Sequence, residues 1–468
     1  MSEWRRISLW MDQLEEPLTP RAPLTAEVDA DVAIIGAGYT GLWTAYYLKT
    51  QAPRLRLVVV EAEIAGFGAS GRNGGWLMGN LLNDDRLLGR LPAGERVVSS
   101  ALLHDIPDEV GRVLDHEGIA CDYRKGGVLY CAARYPEQRQ RLQAQLAALR
   151  ELGMGEDDYR WLEADELAHQ LRVQDAEGAL FSPHCATIQP ARLVRGLAAC
   201  VERLGVTIYE QSRVLDWQPG QLRTEGGRVR CDWLVPAVEG YAARMPALSP
   251  HQLPVQSLLI ATEPLTPGIW NEIGLARGQA FSEASRQVTY GQRTADDRLV
   301  FGARGGYRFG GRLRQNFQLD TEEVALRRRL MLDLFPILKA AEITHTWGGN
   351  LGMARRFQPH MLCDRQQRIA LSGGYGGEGV GASNLGGRTL ADLILGRDTL
   401  LTRQPWVLPQ GAIDQLPRWE PEPLRWLGYN AIINSFVHED RVLAQRHSAP
   451  WRRRWAMGLA GFMEGLMR

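Results

Sequence analysis

Residues 31–61 read DVAIIGAGYTGLWTAYYLKTQAPRLRLVVVE, and the order of their parts decides the fold. Val32–Ile35 is a short apolar run with the look of a buried strand. Gly36-Ala37-Gly38-Tyr39-Thr40-Gly41 follows with G-x-G-x-x-G spacing, then a helix-like segment, Leu42–Lys49. A second apolar run, Leu57–Val60, ends in Glu61. Gly36 allows a tight turn, Gly38 lets backbone approach a pyrophosphate, and Gly41 lets helix and strand pack closely. The helix N-terminus then faces the phosphates. Glu61 stands twenty residues after Gly41, where an acid accepts from ribose hydroxyls. An ordinary βαβ turn needs no acid there, so the stretch predicts a dinucleotide site.

The chain has 468 residues, more than one simple core holds, and two intertwined domains are expected. Apolar content of 45% and charged content of 23% are those of a globular protein without a membrane span. A formal net charge of +0 gives no field that favours nucleic acid. The six cysteines form no CxxC pair and no framework, so neither a metal site nor disulfides are expected. The first residues lack the apolar core of a secretory signal, and a cytoplasmic setting is expected.

Outward from the opening stretch, residues 1–27 read as a leader on the domain surface, with Trp4 and Trp10 as anchors. Ile64–Gly75, IAGFGASGRNGG, is a loop that can approach a ligand closely, and Arg72 and Asn73 lie within it. Gly126–Cys131 reads as a strand among helical patterns. Ala186–Leu204 reads as a helix with Pro190 in its first turn. Strands are expected at Val206–Gln211, Arg213–Asp216 and Arg228–Ala237, with a turn at Val238–Tyr241. Leu253–Pro264, Gln287–Gln292 and Arg298–Gly302 suggest an antiparallel sheet, interrupted by a Trp270–Gly278 connection. Gly305–Gly311 reads as a loop, and Thr321–Ala340 as a helix broken at Pro336. Trp347-Gly348-Gly349 leads toward a strand at Arg368–Ser372. A third glycine-dense loop, Gly373–Gly379, precedes a helix at Ala382–Leu395.

Three motifs together, GAGYTG with Glu61, ASGRNGG, and ALSGGYGGEGVGASNLGGRTLADLI, resemble the D-amino-acid oxidase superfamily of FAD-dependent oxidoreductases. The ASGRNGG loop is most similar to the γ-glutamylputrescine oxidoreductase-like branch. The resemblance covers roughly residues 28–396. It implies an α/β protein of the glutathione-reductase-2 type. A Rossmann-like FAD-binding domain would be assembled from residues 28–95, 181–245 and 345–400. An α+β substrate domain with an antiparallel sheet would use 96–180 and 246–344, flanked by the 1–27 leader and a helical extension, 401–468. Carried over by position, Gly36, Gly38, Tyr39, Thr40, Gly41, Glu61 and Ala62 would hold the ADP half of FAD. Gly68, Ala69, Ser70, Arg72, Asn73, Gly74 and Gly75 would line the diphosphate and flavin edge, and Val214 the adenine side. Gly240, Gly349, Gly374, Gly376, Gly377, Gly379 and Val380 would complete the site. The late helix N-terminus would face the flavin and stabilise its anionic reduced form. Relatives often carry His where this chain has Glu378, and a carboxylate there either binds a cationic amine or points to solvent. The branch with a covalent flavin uses a cysteine farther from this loop than Cys363, so non-covalent FAD is expected.

The chemistry implied is oxidation of the C–N bond of an amine or amino acid by hydride transfer to flavin N5, followed by imine hydrolysis. A γ-glutamyl-polyamine-like substrate comes first. A dehydrogenase for a D-amino acid, N-methyl amino acid or opine, and a non-catalytic FAD scaffold or redox relay, are the alternatives. Positioning carries such a reaction, so no catalytic triad is expected. Trp76, Tyr290, Trp347, Tyr375 and Glu378 are the candidate pocket residues, while His345 and His360 read as structural or surface groups. The electron acceptor is oxygen or a quinone. None of the three lysines, Lys49, Lys125 and Lys339, falls where an oxygen-activating lysine is expected, which favours a quinone or dye. Near the C-terminus, Trp455, Leu459, Phe462, Met463 and Leu466 share one helical stripe behind Arg452, Arg453 and Arg454. Such a stripe docks on its own protein or a second subunit, the reading favoured here, or makes peripheral contact with an anionic membrane.

Overall fold

The computed structural model describes residues 3–408 and 410–467. Two large sheets organise them. The spine of the first runs, by neighbours, Val407–Leu408, His360–Asp364, Ile369–Gly373, Arg228–Pro236, Glu27–Ile35, Leu57–Val60 and Thr207–Tyr209. A hairpin, Asp216–Gln218 with Gln221–Arg223, pairs onto Arg228–Pro236. Glu27–Ile35 lies parallel to both its neighbours, as a strand buried on both faces does. Helix Tyr39–Gln51 makes the first crossover and is buried almost all round. One side of it meets helix Gly379–Ile394 so closely that a Cβ on Gly387 would stand 2.6 Å from the Trp43 Cβ.

The second sheet runs Ile343–Ala354, Gln252–Thr262, Leu299–Tyr307, Tyr290–Arg293, Ala280–Glu283, Val128–Ala132, Gly178–Ser182 and Arg160–Glu163. Its pairing is antiparallel except between Ala280–Glu283 and Val128–Ala132. A small third sheet joins Trp76–Met78, Cys185–Thr187 and Arg124–Lys125. The two large sheets are the nucleotide-binding and antiparallel layers that the sequence predicts.

Several boundaries differ from the sequence reading. Trp347-Gly348-Gly349 lies inside strand Ile343–Ala354, which pairs along the whole of Gln252–Thr262. The second sheet therefore reaches residue 354, beyond the domain limit of 344 expected above. Glycines that read as loop signals are there for close packing: a Cβ on Gly348 would meet the Ser257 carbonyl oxygen at 2.5 Å. Gly305 and Gly306 likewise fall within strand Leu299–Tyr307 rather than in a loop. Val214 precedes its hairpin instead of forming a strand, and the Trp270–Gly278 connection overlaps helix Pro267–Ile273, capped by Thr266.

Residues 8–11 do not lie on the surface. Ser8 caps helix Leu9–Asp12, and Leu9, Trp10 and Met11 are buried with Ile64, Ala191 and Trp347. Trp10 meets the Trp347 ring edge-on at 6.0 Å, and its Nε1 donates to the Asn73 carbonyl at 2.7 Å. The apolar Leu-Trp-Met run is a wedge against the ASGRNGG loop.

The C-terminal extension is a hairpin of helices, Leu424–Ala444 and Pro450–Met467. Its two helices pack together through Ile432, Phe436, Ala460 and Met463, with Phe357 of the body beside them, and Tyr429 packs with Leu253, Val255 and Tyr307. Ion pairs from Arg286 to Glu439 and Glu464, from Arg134 to Asp440 and from Arg453 to Glu137 fasten it. The predicted apolar stripe does not face the protein: only Met463 joins this cluster, while Trp455, Phe462 and Leu466 are exposed. The small side chains of Ala456 and Ala460 occupy the buried positions instead. Among the described residues, no helix is long and apolar enough to cross a membrane.

Candidate functional site

The first glycine loop can be built only from glycine. Gly36 has φ of 106°, and a Cβ there would stand 2.6 Å from the Ala237 carbonyl oxygen. A Cβ on Gly41 would reach 2.1 Å from the Gly36 carbonyl oxygen, so Gly41 fits behind the turn without facing a ligand. Glu61 follows strand Leu57–Val60 and folds back over the loop, accepting from the Ala37 amide at 2.8 Å and the Glu63 amide at 3.0 Å. Burial raises its carboxyl to about 7, against the opposing effect of those two amides.

These residues open onto a cavity of ≈ 340 Å³. Of the residues read from the sequence, Gly36, Gly38, Tyr39, Thr40, Glu61 and Ala62 line its first wall. Gly68, Ala69, Ser70 and Asn73 supply a second wall, and Val214 and Gly240 a third. Tyr375, Gly376, Gly377, Gly379 and Val380 close it from the N-terminus of helix Gly379–Ile394. The Ser70 hydroxyl accepts from the Tyr39 amide at 2.9 Å and so ties the second loop to the first. Asn73 holds its own loop: Nδ2 donates to the Ala69 and Ser70 carbonyls, and Oδ1 accepts from the Gly75 amide at 2.8 Å.

Other predicted residues stand behind the wall. The Arg72 guanidinium lies 4.7 Å from the Phe67 ring centre and 5.4 Å from that of Phe317, and its Nε donates to the Phe67 carbonyl. It braces the loop from beneath and does not line the cavity. Gly74 and Gly75 make room for Tyr290 and Gln292, whose side-chain atoms would meet their Cβ atoms at 2.6 and 2.0 Å. Gly349 abuts Ala69 and Arg72, and Gly374 abuts Ala354 and His360.

The five pocket candidates separate into three groups. Trp347 is a buried packing residue whose Nε1 donates to the Arg72 carbonyl at 2.8 Å. Tyr375 belongs to the cofactor cavity, its hydroxyl bonded to Ser372 at 2.6 Å and Thr40 at 3.3 Å. Trp76 and Tyr290 meet edge-on at 6.1 Å, and Trp76 packs with Tyr130 against Met78, Val128, Cys185 and Ala280. Glu378 acts electrostatically on both Tyr130 and Cys185, which places it in the same region. No hydrogen bond to its carboxylate is seen among the described residues, and burial, then the nearby charge of Asp84, raises it to about 7.

Two acids escaped the sequence reading. Asp84 opens a short helix, is raised by burial to about 7, and bears on Tyr130 and Tyr159 as Glu378 does. Glu239 sat within a stretch read as a turn. It lines the cavity, accepts from the Tyr375 amide at 2.9 Å and from the backbone of Gly374 and Gly352, and burial raises it to about 8. An acid beside a glycine at the end of a buried strand was its only signal.

His104, Asp158 and His184 also cluster, both imidazoles bonding Asp158 at 3.1 and 3.2 Å and stacking at 3.8 Å. Asp158 accepts from the Gly155 amide as well, so the group is satisfied by its own hydrogen bonds.

The glycine cradle, the Glu61 carboxylate and the N-terminus of a late helix meet at one cavity, an arrangement that fits FAD. The family of FAD dependent oxidoreductases designated DAO matches residues 31–393. The chain belongs to this family. The DAO-family chain is 29% identical to the γ-glutamylputrescine oxidoreductase of Escherichia coli strain K12, over 81% of its own length and 86% of that protein. It is also 29% identical to the probable oxidoreductase OrdL of Haemophilus influenzae, over the same shares of 81% and 86%. Its fold is that of glycine oxidase from Bacillus cereus, with a TM-score of 0.65 at 19% identity, over 84% of this chain and 100% of that one. L-proline dehydrogenase from P. horikoshii superposes with a TM-score of 0.67 at 15% identity, over 82% of this chain and 98% of that one. This DAO-family protein is thus an FAD-dependent oxidoreductase.

Proposed function

We propose that the chain oxidises the C–N bond of a cationic amine, with a γ-glutamyl-polyamine-like compound as the first substrate class. The observation that carries this reading is the Glu378 carboxylate. It stands at the N-cap of the helix that closes the FAD cavity, without a hydrogen bond or a cationic partner among the described residues. A substrate ammonium supplies the missing partner, and Asp84 adds a second negative charge behind it. A carboxylate raised to about 7 also suits the proton step. Glu378 Oε takes the proton from the bound ammonium and leaves the neutral lone pair that oxidation requires. Trp76 and Tyr290 supply an apolar wall that keeps water from the reacting carbon. FAD, when bound, would supply the hydride acceptor for the carbon bearing the nitrogen, leaving an imine for water to hydrolyse. FAD is held without a covalent bond: among the described residues, no cysteine lines the cavity, and Cys363 is buried within strand His360–Asp364.

Anaerobic mixing with γ-glutamylputrescine, simple diamines, D-amino acids and N-methyl amino acids tests the class. Bleaching of the flavin by the cationic amines at rates well above those for the amino acids is expected. Bleaching by none of them refutes the enzymatic reading. In the wild type, kcat/KM for the amine rises with pH through about 7 as Glu378 ionises. Glu378→Gln removes that limb and raises KM by roughly tenfold, the worth of one charge-assisted contact. An unchanged profile in the variant removes Glu378 from substrate binding.

A further inference from the structure

The C-terminal hairpin lies beyond the family match, which ends at residue 393. Its last helix is built with its apolar side outward. Trp451, Trp455, Phe462 and Leu466, at steps of four, seven and four, are 63%, 58%, 65% and 55% exposed. Leu424 and Leu427 on the first helix are exposed as well.

Charge on the hairpin is sorted by face. Its carboxylates, Glu439, Asp440 and Glu464, all turn toward the body of the protein in ion pairs with Arg286 or Arg134. Arg441, Arg452 and Arg454 are exposed and have no carboxylate partner among the described residues. The outward face is therefore aromatic, aliphatic and positive.

We propose that this face docks on an anionic lipid surface, with helix Pro450–Met467 lying in the plane of the interface. Indole rings favour the boundary between headgroup and acyl chain, and arginines beside them attract anionic headgroups. The helix is too short of apolar residues to cross, which leaves a flat, peripheral seat. A second copy of the chain is the poorer occupant. Two such faces would bring arginines against arginines with no carboxylate between them.

The test is co-sedimentation of the intact holoenzyme with phosphatidylcholine vesicles, with and without about 30% phosphatidylglycerol. The anionic vesicles are expected to carry down about tenfold more protein, with the excess falling as salt is added. Trp455→Ser with Phe462→Ser abolishes binding, and Arg452→Gln with Arg454→Gln weakens it about tenfold. Flavin content and turnover with a soluble dye stay at wild-type levels in both variants, which excludes misfolding as the cause. Absence of binding, or equal binding to neutral vesicles, overturns the proposal. So does sedimentation velocity in which the wild type is a dimer and the Trp455→Ser, Phe462→Ser variant a monomer, because the face would then belong to a second copy.

Discussion

The Glu61 carboxylate accepts from two backbone amides and lies on the cavity wall at the end of strand Leu57–Val60. One of those amides belongs to Ala37 in the glycine loop, so the acid organises the loop and remains available to ribose hydroxyls. Glu61→Ala leaves the Ala37 and Glu63 amides without this acceptor and would remove the proposed contact to the ribose. FAD affinity is expected to fall by about 1.5–3 kcal/mol, the range for a charge-assisted hydrogen bond. Titration of FAD into apo-protein prepared by acid precipitation measures this, and unchanged affinity refutes the assignment. This residue was legible because glycine spacing and an acid at a set distance leave little freedom. Arg72 was not. Its place in a glycine-rich loop suggested a phosphate ligand, but Phe67 and Phe317, remote from each other in the chain, enclose its guanidinium.

At the scale of elements, the cavity depends on a strand, a turn and a loop that meet at Glu239. That side chain accepts from backbone in strand Ile343–Ala354 and in the Gly373–Gly379 loop. A Cβ on Gly352 would stand 1.9 Å from Glu239 Oε2, so the strand needs glycine there to let the carboxylate in. Glu239→Gln sets an amide donor against backbone donors. We expect the melting temperature and FAD affinity to fall together, by about 1–3 kcal/mol for buried groups left unsatisfied. Denaturation followed by flavin fluorescence reads both, and a variant with wild-type stability and affinity would show that Glu239 does not hold the segments together. The same junction explains what the sequence concealed. Parallel strands such as Leu57–Val60 announce themselves as unbroken Val and Leu runs. Ile343–Ala354 is interrupted by three glycines, and the reasons for two of them, Gly348 and Gly352, lie in Ser257 and Glu239. Local pattern cannot report a requirement set by distant backbone.

Across the whole molecule, the distribution of fixed positive charge bears on how electrons leave. Lys49 donates to the Pro53 and Leu55 carbonyls at the end of its helix, Lys125 pairs with Asp108 at 2.6 Å, and Lys339 lies in the Pro336–Ala340 turn. None lines the cavity. An ammonium beside the flavin is the device that stabilises developing superoxide, and a dry site strengthens it. We expect the reduced enzyme to react slowly with oxygen and faster with a quinone or dye. Stopped-flow reoxidation in air-saturated buffer decides it, and a rate well above that of free reduced flavin makes the protein an oxidase.

The cavity is also drawn from the full span of the family fold, from Ile35 to Ser383. During translation the glycine loop and Glu61 leave the ribosome early, but the loop and helix that close the opposite wall leave only after most of the chain. At roughly 5–20 residues per second, the delay is on the order of tens of seconds. Until then the nascent chain holds half a cradle and cannot retain the nucleotide. FAD is therefore captured only once the chain has been made through Ser383, the last residue of the cavity wall.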